Sequence, residues 1–235
     1  MQKSKKFNPE GGYYTLSEKL WAHVTKRSEK AFEKAAERRA QIKTKEEFEK
    51  YVKEMREFFI ESMGGIPYDS TLPLNAKTVG VIEEENLTIE KVIFEARPNV
   101  YVTANLYLPK KRKDPAPAVL FQIGHGHDGK ADTQYQRVAR AIASCGLIVL
   151  VMDPVGQGER FSYYEPAINT LMIPSTIWDH MYAGEACVLV GDCIVRYFIA
   201  MLCVQLIILY HVQRLTAIKS VQPAHQAVVL QPAML

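Results

Sequence analysis

The sequence predicts a three-layer α/β fold in which helices cover a mostly parallel sheet, with an N-terminal hairpin as its antiparallel edge. Three observations lead to this prediction. The apolar period changes from helical to alternating near residue 80, which indicates a passage from helices to strands. Two continuous apolar runs, 118–123 and 147–152, follow, and an amphipathic helical segment separates them. Strands that are apolar on both faces and joined by a helix are typical of parallel, covered sheets.

Residues 1–65 are expected to form a helical extension. Residues 18–41 are rich in Ala, Glu, Lys and Arg, which are strong helix formers. A second helix is predicted to begin at Thr44, where Glu47 provides the spacing of a capping box. An apolar stripe at helical spacing follows it: Phe48, Tyr51, Val52, Met55, Phe58, Phe59 and Met63. We favour helix packing over a ligand groove as the role of this stripe.

Residues 66–199 are expected to form the first half of an α/β domain. Residues 87–96 and 101–108 alternate in polarity and are rich in β-branched side chains, which predicts an antiparallel hairpin. The helix between the two apolar runs is expected to end at Gly146. In such a sheet, ligands lie beyond the carboxyl ends of the parallel strands. Two loops follow those ends, G-H-G-H-D-G at 124–129 and D-P-V-G-Q-G-E-R at 153–160.

The composition excludes several classes of protein. A net charge of +3 from 29 basic and 26 acidic residues is too balanced for a nucleic-acid partner. The four cysteines show no zinc spacing, so they are expected to be reduced thiols. The basic start lacks the apolar segment of a signal peptide, which makes the cytoplasm the expected compartment. We expect no cofactor.

The first loop has three interpretations. His125 and His127 could converge on a metal ion, but the further ligands of a binuclear site are missing downstream. We therefore assign no metal. The small residues after a central strand favour an oxyanion loop, with His125, Gly126 and His127 as its candidate residues. A purely structural glycine turn is the remaining alternative.

The second loop favours a structural role. It lacks the full glycine pattern of a nucleotide site, and its Asp-Pro start disfavours a helix there. Asp153 is expected to satisfy backbone donors at the strand end, while Gly156 and Gly158 allow positive φ angles.

The order hairpin, strand, HGH-x-G, helix, strand and D-P-x-G-Q-G-E-R resembles the α/β-hydrolase superfamily, in particular its acetyl xylan esterase-like branch. The resemblance covers about residues 64–199. It implies a serine hydrolase acting on a small-molecule carboxylic ester, such as an acetylated sugar, through a G-x-S-x-G nucleophile with later Asp and His partners. It further implies an oxyanion N–H near Gly126 and His127. The turn containing Asp153, Gly156, Gly158 and Arg160 would brace the crevice floor.

The chain departs from that pattern in its last section. It contains no G-x-S-x-G, and no acidic residue follows Asp192. Residues 200–235 lack Asp, Glu and Gly altogether, and their histidines are His211 and His225. We therefore expect this chain to lack the Ser–Asp–His triad and to be inactive, as a truncated α/β-hydrolase followed by an aberrant tail at 200–235.

A shifted reading frame would account for the tail. Codon degeneracy allows residues 200–209, read one frame away, to encode D-A-M-R-A-I-D-Y-L, an amphipathic helix. Residues 210–229 can then encode S-R-P-E-V-D-x-D-K-I-G-x-T-G-x-S-G-G-G-T, which contains a serine elbow. Our hypothesis is a frameshift near Ala200.

Two other interpretations of the tail stay open. The apolar stretch at 197–212 could anchor a membrane-associated or non-catalytic binding protein, although it is shorter than the roughly 20 residues that a bilayer needs. It could equally be a buried helix of the sheet. We do not favour a membrane partner, because Asp192 and Arg196 block extension upstream.

Overall fold

The computed structural model describes residues 17–69, 71–112, 116–211 and 227–228. The chain divides into two compact units, Met1–Phe59 and Ile60–Leu235. The basic start of the chain lies outside the described residues. So does most of the segment at 210–229, in which a shifted frame could encode a serine elbow.

Two helices open the described chain, α1 (Ser17–Ala40) and α2 (Lys45–Ser62). The predicted capping box begins α2: the Glu47 N–H donates to Thr44 Oγ1 at 3.2 Å, and the Thr44 N–H donates to Glu47 Oε2 at 3.1 Å. No residue of α2 is buried, and its apolar stripe lies on the helix surface, where Phe58 is 66% exposed.

The second unit contains a six-stranded sheet and a separate two-stranded hairpin. The strands are β1 (Lys77–Glu83), β2 (Leu87–Arg97), β3 (Val100–Pro109), β4 (Ala118–Phe121), β5 (Ile148–Met152), β6 (Tyr164–Glu165), β7 (Thr170–Leu171) and β8 (Ala227–Val228). The order in the larger sheet is β1-β2-β3-β5-β4-β8, and β6 pairs with β7.

The predicted parallel pair is present at the centre of this sheet. Strands β4 and β5 run parallel, with Val119 opposite Val149, and helix α3 (Thr133–Ser144) connects them. The predicted hairpin forms from β2 and β3, which are antiparallel. Strand β1, which the sequence did not predict, pairs antiparallel with β2 and is exposed along nearly all its length.

Each face of the sheet packs against helices. On one face, α3 covers a cluster that includes Tyr107, Val149 and Val151. The other face carries the larger cluster, in which the strand residues Phe94, Leu120 and Leu150 are packed. Buried residues of the helix α5 (Ile194–His211), which follows α4 (Thr176–Leu189), complete this cluster: Met201, Val204, Ile208 and Leu209. The described part of α5 is therefore a core helix of the second unit.

Within the described ranges, no single helix is both long and apolar enough to cross a bilayer. The segments Thr176–Leu189 and Ile194–Leu209 satisfy the length and composition together, with a bend of 113° between them.

Candidate functional site

Two loops meet at one edge of the sheet, because β4 and β5 are parallel and their carboxyl ends coincide. We call residues 124–129 the histidine loop and residues 153–160 the glycine loop. The Gly126 N–H donates to the Gln157 side-chain oxygen at 2.8 Å, and the Gly158 N–H donates to the His127 carbonyl at 3.0 Å. These two bonds fix the loops to each other.

Asp153 lies at the centre of this junction and is fully buried. Its carboxylate accepts from the Thr103 hydroxyl at 2.8 Å and from the Lys130 N–H at 2.7 Å. It also accepts from the Glu159 N–H at 3.3 Å and pairs with the Lys130 ammonium. A buried carboxylate needs such partners, because an unpaired charge away from water is costly. Asp153 therefore organises both loops.

Glycine is required where the glycine loop passes Asp153. Gly158 has a φ of +57°, and a Cβ built on it would lie 2.4 Å from an oxygen of Asp153. Gly129 stands on the other side, where a Cβ would lie 2.2 Å from the same oxygen. Real Cβ atoms do not approach oxygen so closely. Because glycine has no Cβ, the backbone at both positions can lie directly against the Asp153 carboxylate.

Arg160 closes the end of the glycine loop. Its guanidinium donates to the Asp153 carbonyl at 2.9 Å and reaches the Met201 sulfur on α5 at 3.0 Å. Burial lowers the pKa of Arg160 to about 10, while the Asp153 charge opposes this shift. The side chain therefore stays charged at neutral pH and joins the loop to the core helix.

Asp179 is a buried site residue that the sequence analysis missed. It lies in the first turn of α4 and accepts from the Ser162 N–H at 2.8 Å and the Ser162 hydroxyl at 2.9 Å. A Cβ on Gly156, whose φ is +69°, would lie 2.6 Å from its carboxylate. Asp179 follows the N-cap residue Ser175 in the first turn of the helix, where acidic residues are common on the protein surface. The sequence therefore did not indicate that this side chain is buried.

The histidines of the first loop point to different neighbours. His125 Nε2 lies 3.2 Å from His180 Nδ1, and His180 Nε2 lies 2.6 Å from the Val155 carbonyl. His127 instead stacks near Phe161, with ring centroids 5.0 Å apart, and its Nδ1 lies 3.3 Å from Asp128. His180 was not among the predicted site residues, although its segment contributed to the resemblance.

The three oxyanion-loop candidates differ in the backbone donor that each can offer. The Gly126 N–H is occupied by Gln157. Within the described part of the chain, the N–H groups of His125 and His127 have no hydrogen-bond partner. His127 also borders a cleft of about 580 Å³, whose lining includes Asn105, Lys130 and Glu159. His125 is not among the residues that line this cleft.

Neither loop contains a serine, threonine or cysteine that could act as a nucleophile. The hydroxyl of the nearby Ser162 donates to Asp179 at 2.9 Å. The described residues also contain no group of three or more His, Cys, Asp or Glu side chains arranged to hold a metal ion. The two loops therefore present backbone N–H donors beside histidine side chains, and the hydrogen bonds to Asp153 and Gln157 hold the loops in place.

The strand order and the two loops define a partial α/β-hydrolase fold. No family model matches the chain. A putative acetyl xylan esterase from Bacteroides fragilis has a similar structure, with a TM-score of 0.60 and 16% identity. That match covers 91% of this chain and 55% of the esterase, and at this identity it shows the fold alone.

Two further proteins are similar over shorter stretches. The putative hydrolase YtaP of Bacillus subtilis is 27% identical over 140 residues, which are 54% of this chain and 46% of the relative. An acetyl xylan esterase from Paenibacillus sp. R4 is 18% identical with a TM-score of 0.33, over 40% of this chain and 31% of the esterase. The chain therefore spans about half the length of the first relatives it matches.

Proposed function

We propose that this chain is part of a serine-dependent hydrolase of carboxylic esters, with small acetylated sugars as the substrate class. One observation carries the proposal. The backbone N–H groups of His125 and His127, which have no partner among the described residues, follow the carboxyl end of a central parallel strand beside the Asp153 junction. This is the place where an α/β-hydrolase stabilises an oxyanion. The similarity to a putative hydrolase and a putative acetyl xylan esterase supports it.

The nucleophile is proposed to lie in a shifted frame beyond about Ala200. The sequence contains no G-x-S-x-G, whereas codon degeneracy allows the alternative frame to encode one after a strand. Strand β4 would accept the next strand on its outer side, where Leu120 pairs with Val228 in this chain. A serine elbow that followed such a strand would reach the same sheet edge as the histidine loop.

The nucleotide sequence around codon 200 and an esterase assay test the proposal together. A single frame that encodes the tail unchanged in independent reads would contradict the frameshift. This chain is expected to show no hydrolysis of p-nitrophenyl acetate above buffer. The protein with the alternative frame restored is expected to hydrolyse it, and replacement of its elbow serine by Ala should reduce kcat by at least about a thousandfold.

An assay of the protein with the alternative frame restored can also contradict the proposed function. If it folds and shows no esterase activity towards p-nitrophenyl acetate or an acetylated sugar, the proposed function is wrong. Activity that a chelator abolishes would replace the serine mechanism with a metal-dependent one.

A further inference from the structure

We propose that His180 is a positioning residue that orients His125 and leaves its Nδ1 as a hydrogen-bond acceptor for a ligand hydroxyl. The ligand role rests on the proposed function, because it assigns the hydroxyl to the alcohol part of an ester. The geometry that supports the proposal does not depend on that function.

The Val155 carbonyl determines the tautomer of His180. A carbonyl oxygen can only accept, so His180 Nε2, at 2.6 Å from it, carries the proton. In the neutral ring, Nδ1 is then an acceptor. His125 Nε2 lies 3.2 Å from that Nδ1 and therefore donates to it. The proton of His125 is thus on Nε2, and no donor among the described residues occupies the lone pair of its Nδ1.

The Val155 carbonyl is itself held in place by α4. Asp179 and His180 are consecutive residues of that helix, and both contact the 155–156 turn. The Gly156 N–H also donates to the Arg160 carbonyl at 2.8 Å, which closes the turn. The His180 ring also packs near Phe198 of α5, with ring centroids 5.1 Å apart. His180 is therefore a fixed partner, whereas His125 is exposed.

This arrangement separates two roles within the histidine loop. A neutral His125 side chain with its proton directed at His180 cannot donate to an oxyanion, so that task falls to backbone N–H groups. Its free Nδ1 can accept from a hydroxyl. A sugar ester whose alcohol part bears hydroxyls beside the acyl oxygen matches this acceptor, and an ester of a simple alkanol does not.

The pair is tested by nuclear magnetic resonance on the full chain labelled with ¹⁵N, at pH 8, where an unperturbed imidazole is neutral. We expect a scalar coupling across the hydrogen bond between His125 Nε2 and His180 Nδ1. His180→Leu should abolish it and broaden the His125 ring signals. In His180→Asn, whose side-chain oxygen replaces the Nδ1 acceptor, the His125 Nε2–H should keep its protection from exchange. Absence of the coupling in the folded chain would overturn the proposal.

The acceptor role is tested with methyl β-D-glucopyranoside and its fully O-methylated derivative, which cannot donate. The first should shift the His125 Nδ1 resonance of this chain and the second should not. Equal response to both probes, or no response to either, would overturn the ligand role. Esterase activity of the restored protein is measured separately, so an inactive enzyme with an intact coupling would count against the proposed function alone.

Discussion

At the scale of single residues, one ammonium contacts two carboxylates in different surroundings. The Lys130 side chain is 9% exposed and pairs with both Asp153 and Glu159, which are 0% and 67% exposed. The buried and the exposed carboxylate should contribute differently to the free energy of unfolding, because water screens the charge of the exposed one. The pair therefore provides a matched comparison at one site.

We predict that Asp153→Asn lowers the free energy of unfolding by about 3–5 kcal/mol, because it leaves the buried ammonium without its buried counter-charge. Glu159→Gln should cost about 0–1 kcal/mol, as expected for an exposed pair. Urea unfolding of both variants followed by circular dichroism measures the difference. Similar losses in the two variants would show that Asp153 does not organise the junction.

The sequence predicted the site residue Asp153 but not Asp179 or His180, because only the first lies in a recognisable local pattern. Asp153 follows an apolar strand and precedes glycines, a local pattern that indicates a carboxylate bound by backbone donors. Asp179 and His180 lie on a helix about 25 residues further on. Their contacts with Ser162, Gly156 and His125 depend on how α4 returns to the sheet edge, which no local pattern encodes.

At the scale of elements, the apolar pattern predicted those that bury apolar side chains. The hairpin and helix α3 have regular apolar spacing, the parallel pair consists of continuous apolar runs, and the structure contains each of them. Strand β1 is an exposed edge without such spacing. Helix α4 buries the polar Thr176 and Asp179 and exposes Trp178, which reverses the usual amphipathic pattern.

The junction between α4 and α5 provides an element-scale prediction. Asp192 accepts from the Tyr197 hydroxyl at 2.5 Å, from the Cys193 N–H at 2.7 Å and from Arg196 at 2.9 Å. The hydrogen bonds from Tyr197, Cys193 and Arg196 lower the pKa of Asp192 to about 2. A carboxylate with a lowered pKa in the folded state stabilises the fold above its unfolded pKa, about 3.9, and this contribution is lost as the pH falls towards 2.

We therefore expect the stability of the chain to fall between pH 4 and pH 2 in part because Asp192 becomes protonated. Asp192→Asn should be less stable than the parent at pH 6, and the difference should shrink towards pH 2. Thermal unfolding at several pH values measures it, with Glu185→Gln at an exposed position of α4 as a control. A stability difference that does not change with pH would contradict the assignment.

At the scale of the whole molecule, the described core belongs to one of the two units. Among the residues whose burial the structure describes, every buried apolar side chain lies at Met63 or beyond, and residues 19–62 are half-buried or exposed. The burial that stabilises the chain is concentrated around the sheet, where Leu150 is 0% exposed. Composition and apolar period predict a domain boundary near residue 65. That boundary stays a prediction for folding experiments.

The last prediction concerns a chain that begins at Ile60. Because the deleted residues contribute no buried apolar side chain among those described, its thermal midpoint should stay within about 2 °C of the parent. Leu150→Ala removes a fully buried side chain and should cost about 2–5 kcal/mol, which lowers the midpoint by roughly 5–15 °C. The same cost is expected in the long and short chains, since distant sites add independently. A deletion as costly as Leu150→Ala would mean that the first unit stabilises the second.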